Sequence, residues 1–118
     1  MQIQINADHR LDSSESRDQW ARSVIESALS HIAEQVTRVE VHFGAENAGP
    51  GALPDIRCLL EARLKERPPV AVTNHAESVD RAFDGAVHKL VNALEHELGR
   101  AARHARDARA TPVDDLAT

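Results

Sequence analysis

Along residues 57–64 apolar and polar side chains alternate. Cys58, Leu60, Ala62 and Leu64 point one way and Arg57, Glu61 and Arg63 the other, the period of two that a half-buried strand requires. Pro68 and Pro69 end this run, and Val70-Ala71-Val72-Thr73 resumes it as a second β-branched strand, with Val70 or Ala71 turned to the core. After Asn74 the spacing becomes helical: Val79, Phe83, Ala86 or Val87, Leu90, Leu94 and Leu98 recur every three or four residues. Asn74 followed three positions later by Glu77 forms a cap-and-box pattern that places the helix start near His75.

The first half of the chain carries the same two periods. Residues 1–6 alternate with Ile3 and Ile5 on one face, and residues 37–43 set Val39, Val41 and Phe43 inward against Arg38, Glu40 and His42. Between them Trp20, Val24 and Ala28 recur at intervals of four, and Ile25, Leu29, Ile32 and Val36 fill the neighbouring positions, an apolar stripe wide enough to cover a sheet. Asp12 with Glu15, or Ser13 with Ser16, can cap its start. Residues 44–55 collect turn formers, so the second and third strands are expected to form a hairpin with a long connection, either mobile or in contact with something.

The resulting order is β-α-β-β-β-α. It predicts an α+β fold in which a four-stranded sheet has two helices packed on one face. The other face is left to solvent, bearing Glu40, His42, Arg57, Glu61 and Arg63. The core expected from the periodicities contains or borders Ile3, Ile5, Trp20, Val24, Leu29, Val39, Val41, Cys58, Leu60, Val79, Phe83 and Leu90. Gly99 offers a stop for the last helix. The segment beyond it has high helix propensity and no breaker before Pro112, so a helix running on to about residue 110 is the alternative, costing about 1 kcal/mol at the glycine. The expectation is a helix that weakens after Leu98, dividing the chain into a domain at 1–99 and an Arg-rich helical extension with a flexible tail at 100–118.

A chain of 118 residues makes one domain whose core needs no metal or disulfide staple. Its one cysteine, Cys58, shares a face with Leu60 and Ala62, which reads as a small buried apolar side chain in a reducing compartment rather than as a reactive thiol. No basic stretch leads into an apolar run at the N-terminus and no apolar segment exceeds a few residues, so neither a signal peptide nor a membrane span is expected, and the protein is expected to be cytoplasmic.

Net charge is −5, which argues against a general nucleic-acid binder. The distribution alters that picture, because Arg100, Arg103, Arg106 and Arg109 face only Asp107 between residues 99 and 111, while residues 1–98 are strongly acidic. The seven histidines include no pair at the i, i+4 spacing of a helical metal site, and there is no second cysteine. Asp80 with Asp84, and Glu95 with Glu97, fall on the polar side of an amphipathic helix. No nucleophile elbow or phosphate-cradling glycine loop is present. The expectation is a non-enzyme with no metal, no cofactor and no small-molecule substrate. Trp20, Phe43 and Phe83 read as core or core-edge aromatics rather than base-stacking platforms.

Taken in order, VEVHF, a Gly/Pro loop, RCLLEAR, PPVAVTNHA and KLVNALEHELGR resemble the ribosome hibernation-promoting factors, also called ribosome-associated inhibitors or sigma modulation proteins. The resemblance covers roughly residues 1–100. It implies a factor that binds ribosomal RNA near the decoding channel of the small ribosomal subunit and inhibits translation or preserves idle ribosomes under stress. It also implies a short form without a dimerising second domain, expected to be monomeric in isolation. RNA-binding candidates on this reading are Arg17, Arg22, Lys89, Arg100, Arg103, Arg106 and Arg109, with Arg17 and Lys89 at positions usually basic in the family. Glu26, Asn92 and His96 depart from the family pattern, and Asp18, Asp80 and Asp84 dilute the patch. The alternative is a protein-interaction or regulatory module of the same fold with weak or no RNA binding. A continuous positive strip joining these residues favours the first reading, and scattered charge the second.

Overall fold

The structure, a computed structural model, describes residues 1–8, 11, 14–46, 51 and 53–117, with side chains as far as residue 100. Its elements are β1 (Gln2–Ala7), α1 (Glu15–Ala28), a 3₁₀ segment (Ser30–Gln35), β2 (Val36–Glu46), β3 (Asp55–Leu64), β4 (Val70–Ala76) and α2 (Val79–Ala117). The four strands form one sheet in sequence order. β1 runs parallel to β2, and the β2–β3 and β3–β4 pairs are antiparallel. A parallel neighbour cannot be reached by a tight turn, so α1 serves as the crossover between β1 and β2.

The registers explain the alternation. Ile3 lies opposite Val39 and Ile5 opposite Val41; Val39, Val41 and Phe43 face Ala62, Leu60 and Cys58; Leu60 and Ala62 face Val72 and Val70. These residues line the face covered by helices, where Ala21, Ile25, Phe83, Ala86, Leu90 and Leu94 are buried. Val70, not Ala71, is the residue packed on this core. The expected α+β architecture and the single core are both present. Trp20 closes the core at its edge: it is 36% exposed, with its ring 5.0 Å from that of Phe83, which in turn lies 6.0 Å from Phe43. This aromatic chain joins α1, α2 and β2.

Four local expectations are corrected. The apolar stripe from Trp20 to Val36 is not one helix. α1 ends at Ala28, Leu29 leaves helical geometry at φ −106° and ψ 11°, and Ser30 donates its hydroxyl to the carbonyl of Ser27. The 3₁₀ segment then keeps Ile32 on the core, while Val36 belongs to β2 and pairs with Leu64. Both arrangements bury the same residues, and burial is all that the spacing reports.

The second correction lies at the other helix. Asn74 is not a cap: β4 continues to Ala76, and Ser78 Oγ accepts the backbone N–H of Arg81 at 3.2 Å. For α1 the cap is Ser14, whose hydroxyl accepts the N–H of Arg17 at 3.1 Å; Asp12 and Ser13 lie outside the described residues. Third, the connection expected at 44–55 begins later, since Gly44, Ala45 and Glu46 pair with Arg57, Ile56 and Asp55. Residues 47–50 and 52 lie outside the described residues. Fourth, α2 does not stop at Gly99 or end before Pro112, but continues to Ala117. The glycine's propensity cost of about 1 kcal/mol is small beside the helix formers on both sides of it.

Candidate nucleic-acid interface

Arg17 lies in the first turn of α1, at the end of the sheet where β2 finishes. Its guanidinium sits over the Phe43 ring, 5.5 Å from the centroid, and the side chain is half-buried. A cation held against an aromatic face contributes packing as well as charge. Arg17 therefore helps to seat α1 on β2, a role its position in the sequence did not suggest.

Arg22 is exposed, with no ion pair among the described residues. Trp20, two positions earlier, marks the side of α1 that meets α2. Arg22 lies about 160° around the helix from it, on the flank turned away from α2. Asp18 and Glu26, one turn to either side, temper its field.

Lys89 occupies the opposite flank of the helical layer. Its ammonium donates to the carbonyl of Thr73 in β4 at 2.9 Å, reaching down beside α2 to the sheet edge. Arg100 follows eleven residues later, about three turns along the same side, and pairs with Glu97 at 2.9 Å. Arg103, Arg106 and Arg109 lie on the helical backbone of α2, and their side chains lie outside the described residues. The tertiary structure thus puts Lys89 and Arg100 on one flank, Arg22 on the other, and Arg17 beneath α1. The exposed helical residues also include Glu15, Asp80, Asp84 and Glu95 beside Arg81 and His88.

The open face of the sheet carries a different arrangement. Glu40 lies 3.7 Å from Arg38, 3.7 Å from His42 and 3.9 Å from Arg63, which also approaches Glu61 at 3.5 Å. Arg38 donates to the Gln4 side-chain carbonyl, and His75 pairs with Asp55 at 3.3 Å. The arginines Arg38 and Arg63 are matched by Glu40 and Glu61 on the same face, so they offer little surplus charge to phosphate. Period-two alternation identified this face, but the cross-strand network centred on Glu40 depended on register.

Cys58 is buried on the inner face, and desolvation pushes its thiol pKa up to about 12. It is neither an accessible thiolate nor an available metal ligand at neutral pH. Among the described residues no group of three or more His, Cys, Asp or Glu is placed to hold a metal ion. No described helix is long and apolar enough to cross a membrane.

No family model and no curated protein matches the sequence. The fold does find neighbours. The chain superimposes on the N-terminal domain of Thermus thermophilus Protein Y with a TM-score of 0.65 at 13% identity, over 81% of this chain and 98% of that one. A ribosomal subunit interface protein from Coxiella burnetii matches with a TM-score of 0.61 at 16% identity, over 83% of this chain and 99% of that one. The likeness establishes a shared fold across nearly the whole of both neighbours.

Proposed function

We propose that this chain is a non-enzymatic, ribosome-associated factor of the hibernation type. The observation that carries the reading is the agreement between the ordered sequence stretches and a fold shared, over almost its full length, with a ribosomal subunit interface protein. On this reading the domain occupies the small subunit near the decoding channel and works by steric exclusion. Lys89 and Arg100 form one phosphate-binding flank, Arg22 lies on the second, and Arg103, Arg106 and Arg109 extend positive charge along the backbone of α2. Arg17 holds α1 in position. Phosphate contacts by these side chains release counterions and orient the domain without breaking a bond.

Separation of the cations onto two flanks favours a specific second reading, a protein-interaction module of the same fold with weak RNA affinity. Co-sedimentation of the purified protein with small ribosomal subunits at low and moderate salt separates the two. The RNA reading expects binding that weakens steeply with salt, and a shallower slope when Lys89 and Arg100 are changed to alanine. Absence of binding at both salt concentrations excludes the ribosomal reading and leaves the interaction module.

A further inference from the structure

The two edges of the sheet are treated unequally. β4 is guarded: Pro68 and Pro69 precede it, and the Lys89 ammonium occupies the outward carbonyl of Thr73. Prolines and edge lysines are the usual means of blocking strand addition. β1, on the other side, reads Gln-Ile-Gln-Ile-Asn-Ala and has no charge and no proline. Among the described residues nothing pairs with its outer side.

The phase of the β1 ladder follows from one hydrogen bond. Asp8 donates its N–H to the carbonyl of Phe43 at 2.8 Å, directly beyond the Ala7–Phe43 pairing. In a parallel ladder both backbone groups of one residue face the same neighbour, and those of the next residue face away. Gln2, Gln4 and Asn6 therefore direct their backbone groups to β2. Ile3, Ile5 and Ala7 direct theirs to the open edge.

We propose that the β1 edge pairs with β1 of a second copy of this chain, antiparallel and across a two-fold axis at Gln4. Ile3 of one protomer then exchanges two hydrogen bonds with Ile5 of its partner, and Ile5 does so with Ile3, because those residues carry the outward groups. Met1 comes opposite Ala7, so this register uses more of the strand than one centred at Ile3 or Ile5. Gln4 faces its own copy in a non-hydrogen-bonded pair with Cα atoms about 4.5 Å apart. Ile3 and Ile5 are only partly buried, and each gains an isoleucine neighbour on the helix-covered face. The glutamines meet on the open face, and no like charges oppose each other. The occupant is a second copy because an uncharged strand of this pattern is complementary to itself, and isologous pairing satisfies both edges at once. The two four-stranded sheets join into one of eight strands, with the helices of both copies on the same side.

Sedimentation equilibrium of the full chain at rising protein concentration tests the pairing. Wild type is expected to move from monomer to dimer within the micromolar range. Gln4→Lys puts two ammonium groups opposite each other on an exposed part of the strand, and is expected to weaken the dimer about tenfold or more while leaving the monomer's circular dichroism unchanged. Mild oxidation of single-cysteine variants tests the register. Gln4→Cys should form a covalent dimer efficiently. Gln2→Cys should not do so alone, but should cross-link with Asn6→Cys in a mixture. A wild type that stays monomeric throughout, or efficient self-cross-linking at residue 2 in place of residue 4, overturns the proposal.

Discussion

The side-chain amide of Asn74 fills the space that a methyl group on residue 85 would need. A Cβ on residue 85 would overlap the Asn74 side-chain amide, and the same amide donates to the carbonyl of Ala82 at 3.2 Å. The strand-borne asparagine is thus inserted into the flank of α2, and Gly85 permits the approach. Four residues further along α2, Lys89 donates to the carbonyl of Thr73, the strand neighbour of Asn74.

Gly85→Ala is therefore expected to push the Asn74 amide aside and lose its hydrogen bond to Ala82, a cost of about 1 kcal/mol that offsets the roughly 1 kcal/mol of helix propensity alanine adds, leaving stability nearly unchanged. Asn74→Ala alone loses a hydrogen bond and costs about 1 kcal/mol. In the double variant the clash is gone and alanine should be neutral or stabilising at residue 85. A double-mutant cycle from urea unfolding measures the coupling; simple additivity of the two effects would refute the steric account.

Phe83 is fully buried and touches both other aromatic rings. Phe83→Ala should cost about 3–5 kcal/mol, and Trp20 fluorescence should shift to the red as its ring loses its partner. Trp20→Ala, at the exposed edge of the same chain of rings, should cost clearly less. Equal losses would show that the aromatic chain does not end at a solvent boundary.

Burial raises the Cys58 thiol pKa to about 12 from an ordinary 9.0. Between those values the unfolded chain has lost the thiol proton and the folded one has kept it, so this group's contribution to stability is intact below about 9 and declines as pH rises toward about 12. A disulfide reagent at neutral pH should leave the native thiol unmodified and react with one equivalent after denaturation. Rapid native labelling contradicts the burial.

Leu98 is the last residue of α2 that packs against the core among the described residues. Changing Arg100, Arg103, Arg106 and Arg109 together to alanine should leave the unfolding midpoint of the domain nearly unchanged. On the ribosomal reading, the same variant binds small subunits more weakly, with up to about four fewer counterions released. A large loss of domain stability would instead give these arginines a structural role.

Element order and the inward side of each strand were legible in the sequence, because a side chain's burial depends on the period of its own element. Ile3, Val41, Cys58, Phe83 and Leu90 could be placed on the core without any knowledge of their partners. The outward set, Glu40, His42, Arg57, Glu61 and Arg63, followed from the same alternation. What the periods could not carry was the identity of the neighbour. Asn74 matched a helix cap by spacing, but its amide found α2 carbonyls, so the strand ran on and Ser78 became the cap. Arg17 and Arg22 looked equivalent on paper, until α1 was seated with one over Phe43 and the other facing away from α2. The stripe from Trp20 to Val36 was consistent with one helix, and the demand that Val36 pair with Leu64 ended it early. Contacts between residues far apart in the chain decided these points, because several local conformations bury the same side chains and only tertiary pairing selects among them.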